Sequence, residues 1–177
     1  DYNISSEIEY CYTVEAVYDE GTSASTNTAC AASLPVPNSS DLTVGNATAN
    51  VGDLATLEIS LSNEDAVAGF QFIMNLSNDI GVVVGVEPTD RTSGFNLSTN
   101  NGIVIGFSLT GDVIAPGIGP IVLVHIESDS SGNADVCLTD VILSNPEGLS
   151  MPYETACGSL VVTDGPISGC TDVDSCN

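Results

Sequence analysis

"TLEISLSNEDAVAGFQFIMNLS", residues 56–77, decides the fold. Leu57, Ile59 and Leu61 alternate with Glu58 and Ser60, and after a polar break Phe70, Phe72, Met74 and Leu76 form a second row at the same spacing. A period of two marks an extended strand with one buried face, because successive side chains point to opposite sides of the chain. The period recurs downstream. "GIVIGFSL" (102–109) carries a row of Ile103, Ile105, Phe107 and Leu109; in "IVLVHIES" (121–128) Val122, Val124 and Ile126 are expected to face inward and His125 outward. Between the rows stand turn signals, "NNG" (100–102), "TGD" (110–112) and "SSGN" (130–133), and no stretch carries a convincing helical period. Eight or nine strands at this spacing predict an all-β, two-sheet sandwich.

Composition agrees. The 177 residues are 42% apolar and only 14% charged, which suits a folded domain with a sizeable core, and Val, Ile, Leu, Thr and Ser dominate while Trp is absent. No apolar run approaches the length that spans a bilayer. The 24 acidic residues face one basic side chain, Arg91, for a formal charge of −23. That balance excludes nucleic acid and anionic membrane surfaces as partners, since both need a basic footprint. Three readings of the acidity stand: a solubilising surface, which is favoured, a divalent-cation sponge, or avoidance of proteases that cut after Lys and Arg.

Six cysteines without a CxxC spacing point to disulfides and an oxidising compartment. In an antiparallel hairpin the numbers of paired residues share one sum. Centring a hairpin on Glu20-Gly21 makes that sum 41 and sets Cys11 opposite Cys30; Cys137 and Cys157 are likewise symmetric about Glu147, inside the turn-rich "NPEGL" (145–149). Cys170 and Cys176 close the short ring "CTDVDSC".

The chain therefore divides into a disulfide-bridged hairpin (1–33), a Pro-containing linker "LPVPNSS" (34–40), a sandwich body (41–163) and a Cys-bridged tail (164–177). With no initiator Met and no signal peptide, it reads as a processed or excerpted piece of a larger exported protein, extracellular or at the cell surface.

The order of motifs in the body, "VGDLATLEISLSNEDAVAGFQFIMNLS" (51–77), "NNGIVIGFSL" (100–109) and "GPIVLVHIESDSSGNADVCLTDVILSNPEGLSMPYETACGSLVV" (119–162), resembles a cohesin domain of bacterial scaffold proteins. The resemblance implies a nine-stranded jelly-roll sandwich that binds a dockerin through one sheet face. The Cys137 and Cys157 pair is not a usual feature of that family. Tyr10, Tyr12, Val14, Ala16 and Val17 resemble the closing strands of a fibronectin type III domain, and "GCTDVDSCN" (169–177) is similar to the start of Gly-Cys-Thr-Asp repeats in exported multidomain proteins.

Catalysis is not expected. His125, the only histidine, sits mid-strand without a nucleophile motif; no cysteine is left free once all six pair, and no Gly-rich phosphate loop exists. No cofactor is expected except calcium, for which Asp172 and Asp174 in the Cys170 to Cys176 ring and Asp129 with Asn133 and Asp135 are the candidate ligands. The competing reading of both groups is an acidic surface turn. Asn3, Asn38, Asn46, Asn75 and Asn96 begin glycosylation sequons.

A lone two-stranded hairpin buries too little to be stable, so Tyr10, Tyr12, Val14 and Val17 call for a partner. This favours a non-enzymatic structural or adhesive protein, a filament subunit assembled head-to-tail with copies of itself by strand addition through the hairpin. The alternative is a binding module: a cohesin recruiting a dockerin, or a carbohydrate-binding sandwich.

Overall fold

A computed structural model describes residues 9–32 and 38–165; Asn3, Cys170, Asp172, Asp174 and Cys176 lie outside the described residues. The chain separates into two compact units, 1–36 and 37–177.

In the first unit β1 (Glu9–Tyr12) pairs antiparallel with β4 (Ala29–Ala32), with Cys11 opposite Cys30. The two sulfurs are bonded across a Cα separation of 4.0 Å. Nearer the turn, β2 (Val17–Tyr18) pairs with β3 (Gly21–Thr22) around Asp19-Glu20. The turn thus sits one residue before the expected centre: paired numbers sum to 39 there and to 41 at the cystines. The second arm absorbs the two extra residues between Thr22 and Ala29. There Ser23 Oγ accepts from the Ala16 N–H (3.0 Å) and Thr26 Oγ1 from the Val14 N–H (2.9 Å), so hydroxyls replace ladder carbonyls.

The second unit is a sandwich. In chain order it comprises β5 (Ser40–Val44), β6 (Ala47–Asn50), β7 (Leu54–Asn63), β8 (Gly69–Leu76), β9 (Gly81–Pro88), a 3₁₀ turn (Asp90–Thr92), β10 (Asn96–Asn100), β11 (Ile103–Phe107), β12 (Gly117–Ser128), β13 (Gly132–Ser144), β14 (Tyr153–Ala156) and β15 (Gly158–Thr163). One sheet has the order β10-β11-β8-β13-β15-β6 and the other β14-β5-β7-β12-β9. These eleven segments make nine strands, because β5 with β6 and β14 with β15 are each one strand interrupted where it changes sheets. The all-β jelly-roll read from the sequence is the fold observed.

The interruption closes the sandwich. β5 runs parallel to β14 in one sheet and β6 parallel to β15 in the other, so the first and last strands cross between layers side by side. Gly45 lies at the first crossing and Gly158 at the second. A Cβ on Gly158 would stand 1.9 Å from the Gly45 carbonyl oxygen, so only glycine fits.

Inward rows fill the core as their periods predict. Leu57, Ile59 and Leu61 of β7 and Val122, Val124 and Ile126 of β12 meet Phe70, Phe72 and Met74 of β8, all buried, with Leu76 half-buried. Each such side chain contributes about 1.5–3 kcal/mol by leaving water. Phe70 stacks between Phe72 and Phe95, at ring separations of 5.9 and 6.2 Å. A Cβ on Gly106 of β11 would reach within 2.3 Å of the Phe70 ring, so this glycine makes the room Phe70 occupies.

Arg91 ties the 3₁₀ turn to the sheet. Its guanidinium donates to the carbonyls of Leu61 (2.6 Å), Gly119 (3.1 Å) and Ala115 (2.8 Å) and to Asn63 Oδ1 (2.6 Å). Partial burial draws its pKa below the usual arginine value. The one arginine of a chain without lysine is therefore engaged internally.

Candidate functional site

β13 holds the register that the cysteine arithmetic anticipates. Its ladder with β15 pairs residues whose numbers sum to 294, from Gly132↔Val162 to Val136↔Gly158, which places Cys137 beside Cys157 at the ladder's end. The disulfide joins them across 4.4 Å between Cα atoms. At the turn the same sum returns, with Ser144 bridged to Ser150 and Asn145 donating its N–H to the Leu149 carbonyl. Between these points the hairpin opens, because β14 leaves to pair with β5 in the other sheet.

β13 also carries a bulge. Against β8, Thr139 pairs with Ile73 and Ile142 with Gln71, so Asp140 and Val141 together oppose Phe72. Val141 turns into the core and Asp140 remains exposed, with a left-handed φ of 48°. The extra residue inverts the alternation: even numbers face inward up to Leu138, odd ones from Val141.

The outer face of the six-stranded sheet is consequently a grid in strand order β10, β11, β8, β13. Its rows are Asn100, Ile103, Ile73, Thr139; then Ser98, Ile105, Gln71, Ile142; then Asn96, Phe107, Gly69, Ser144. In the β11 column the apolar row faces solvent. Ile103, Ile105 and Phe107 are 36%, 37% and 42% exposed, whereas Val104 is fully buried. Leu109, expected to extend this row, lies past the strand end in an exposed loop. With Ile142 at 53% and half-buried Ile73, they form an apolar patch that Gln71 interrupts between Ile105 and Ile142, bordered by Asn and Ser on one side and by Asp140 on the other. The sequence reading found the row but not its direction. The signal available was Gly106, which alternates with the isoleucines and makes room for the large ring of its neighbour on the adjacent strand, Phe70.

The remaining candidates are dispersed. Asn75 and Asn96 both point out from this same face; the Asn75 amide donates to Thr139 Oγ1 at 2.6 Å, and Asn46 Oδ1 accepts from the Ser159 N–H and hydroxyl, each at 2.9 Å. Asn38 is exposed. His125 lies on the outer face of the other sheet, as expected, against Thr56 Oγ1 (3.0 Å from Nδ1) and Glu87 Oε1 (3.4 Å from Nε2). The three side chains stand on the adjacent strands β7, β12 and β9. Asp129 and Asp135 flank the β12 to β13 turn and belong to no metal-competent cluster of three or more His, Cys, Asp or Glu side chains among the described residues, and the Asn133 carbonyl there accepts the Asn78 amide. Among the described residues the one trio of metal-ligand types within reach of a shared ion is Glu9, Cys11 and Cys30, whose sulfurs are tied in a disulfide and offer no thiolate. Tyr12, Val14 and Val17 of the hairpin are exposed, and Tyr10 is half-buried. No helix among the described residues is long and apolar enough to cross a membrane.

No family model matches the chain, and no curated protein does. Solved structures do. A non-cellulosomal cohesin from the archaeon Archaeoglobus fulgidus superposes with a TM-score of 0.59 at 18% identity, over 71% of this chain and 91% of that one. CaCohA2 from Clostridium acetobutylicum gives 0.58 at 21%, over 73% and 94%. The Coh-OlpC and Doc435 cohesin–dockerin complex of Clostridium thermocellum gives 0.60 at 13%, over 73% and 96%. At these identities the likeness establishes the fold: the second unit is a cohesin-like jelly-roll.

Proposed function

We propose that the second unit is a non-enzymatic protein-binding module of an extracellular or cell-surface protein, and that it recruits a dockerin-type partner through the outer face of its six-stranded sheet. The observation that carries this reading is the solvent-facing row Ile103, Ile105 and Phe107, continued by Ile73 and Ile142 across three adjacent strands. An exposed apolar patch with a polar border is the anatomy of a docking surface, since its exposure costs free energy that a partner recovers. The cohesin fold of structures solved with dockerins supports the partner class. Two disulfides fit an oxidising exterior.

The test is a pull-down with Doc435 and Doc918, the dockerins of two of those complexes, comparing the protein with its Phe107→Asp variant. Binding abolished by the substitution supports the reading. No binding by either dockerin, or binding indifferent to Phe107, counts against it, and a hit on a glycan array instead would move the assignment to carbohydrate.

A head-to-tail filament is the second reading, favoured by the exposed Tyr12, Val14 and Val17 of the hairpin. Deleting residues 1–33 should abolish fibres seen by electron microscopy; fibres that persist would end that reading.

A further inference from the structure

The sandwich has four strand edges, and three of them are guarded. In the five-stranded sheet β14 carries Glu154 and β9 carries Glu87, charges that discourage another strand from pairing there. In the six-stranded sheet β10 lies against β9 of the opposite sheet. The fourth edge, β6 (Ala47–Asn50), pairs with β15 on one side only and holds no charged residue, in a chain with 24 acidic side chains.

Asn46 stands at the head of this edge, and Asn46-Ala47-Thr48 is a sequon. Its side chain is fixed in one orientation. Oδ1 accepts both the Ser159 N–H and the Ser159 hydroxyl, each at 2.9 Å, and because a backbone N–H only donates, the amide atom facing it must be oxygen. Nδ2 is therefore turned away from Ser159 and has no hydrogen-bond partner among the described residues. Asn46 and Thr48 are both exposed.

No other sequon among the described residues combines these features. Asn38 has the hydroxyl of its sequon on Ser40, which is fully buried. The Asn75 amide donates to Thr139 Oγ1 at 2.6 Å, and Ser77 Oγ accepts the Asp135 N–H at 2.9 Å. Asn96 is exposed but pairs with Phe107, so a sugar there would lie over the apolar patch.

We propose that Asn46 carries an N-linked glycan that shields the β6 edge. This rests on the reading of the protein as exported to the cell exterior. In the attachment step Asn46 Nδ2 bonds to C1 of a sugar delivered as an activated glycosyl phosphate. The C1–O bond breaks, the phosphate leaves with its electron pair, and Nδ2 gives up a proton. A bulky, hydrated glycan beside β6 excludes a second strand by volume, as Glu154 and Glu87 do by charge at the other sheet's edges.

The test takes the protein recovered from the exterior of the cells that make it, digests it at glutamate and aromatic residues, and reads the peptide spanning residue 46 by electron-transfer mass spectrometry. Hexose or N-acetylhexosamine increments on Asn46 are expected, lost in Thr48→Ala and kept in Thr48→Ser, since transfer reads the hydroxyl two residues on. Thr48→Ala leaves Asn46 and its bonds to Ser159 in place, so its loss of sugar is not loss of fold. At high salt, which screens the net charge, light scattering should show association of Thr48→Ala and none of Thr48→Glu, which lacks the sugar but restores a charge to the edge. An unmodified Asn46 overturns the proposal, as does sugar confined to other residues. Equal association of Thr48→Ala and the parent overturns the shielding role. Protein found only inside the cells would strike the export reading and this site together. Sugar on Asn96 in addition to Asn46 would uphold the site and count against the Phe107 docking face. The strands β8, β13 and β15 separate β11 from β6, so dockerin binding should be the same with and without the glycan, and either reading can fail alone.

Discussion

Gly158 passes Gly45 so closely that a methyl group on Gly158 would stand 1.9 Å from the Gly45 carbonyl oxygen and 2.6 Å from that of Val44. The two strands that exchange sheets share this point, so any displacement there opens both layers. Gly158→Ala should therefore cost more than about 3 kcal/mol, in the range of severe overpacking. Gly45→Ala, whose Cβ would meet Glu58 O at 3.2 Å, should cost less. Guanidinium unfolding midpoints of the two variants check the order.

The Cys137 to Cys157 bridge holds the same crossing from the side of β13. Replacing both residues by Ser should destabilise the second unit by about 3 kcal/mol, the chain-entropy value for a loop of this size. Hydrogen exchange should accelerate first in β14 and β15. Protection unchanged in those strands would mean the bridge constrains nothing that the ladder does not already hold.

Arg91 acts as a clamp with a fork of donors rather than as a point charge. Arg91→Ala leaves the carbonyls of Leu61, Ala115 and Gly119 and the Asn63 amide without this donor and should cost about 2–4 kcal/mol. Arg91→Lys should recover only part, since an ammonium lacks the planar fork. Thermal unfolding of the three proteins separates these cases.

Hydrogen bonds from the Thr110 and Ser108 hydroxyls hold the Asp112 carboxyl below the usual aspartate range. A depressed folded pKa means the ionised form favours folding. The contribution is complete above the ordinary aspartate pKa of about 3.9 and is lost as pH falls through the lower folded value. The stability difference between the protein and Asp112→Asn should accordingly be flat near neutrality and shrink below about pH 4, in urea unfolding across that range.

Ile59 and Ile105 are the same side chain in opposite settings. Ile59→Ala removes a fully buried group and should cost about 2–5 kcal/mol. Ile105→Ala, at the solvent face, should cost about 1 kcal/mol or less while weakening partner binding. Comparable losses of stability in the two variants would contradict the outward direction of β11.

Much of this was legible in the residues. Alternation along 56–77 and 121–128 yields strands and the buried side of each, because a polar row opposite an apolar one leaves a single way to face the core. The cysteines reveal register, since an antiparallel ladder keeps the sum of paired numbers constant and the sums 41 and 294 survive in the ladders beside the bridges. That constancy is local, however. The slip within the first hairpin, from 41 to 39, depends on Ser23 and Thr26 hydroxyls substituting for the backbone, and no count along the chain foretells it.

Sequence alone therefore determined an acidic, cysteine-paired all-β chain with a two-sheet sandwich body, because period, turn chemistry and cysteine spacing are properties of neighbours along the chain, while its jelly-roll form came from the resemblance of the motif order. Only the tertiary structure decided which way β11 faces, that Asp140 stands outside the ladder, and that the first and last strands run parallel through both sheets. Those outcomes depend on contacts between strands distant in the sequence, such as the pairing of Gly106 with Phe70 on the inner side of one sheet. Phe70 fills the position that Gly106 vacates, and once that ring is placed Ile103, Ile105 and Phe107 have no side left but the solvent.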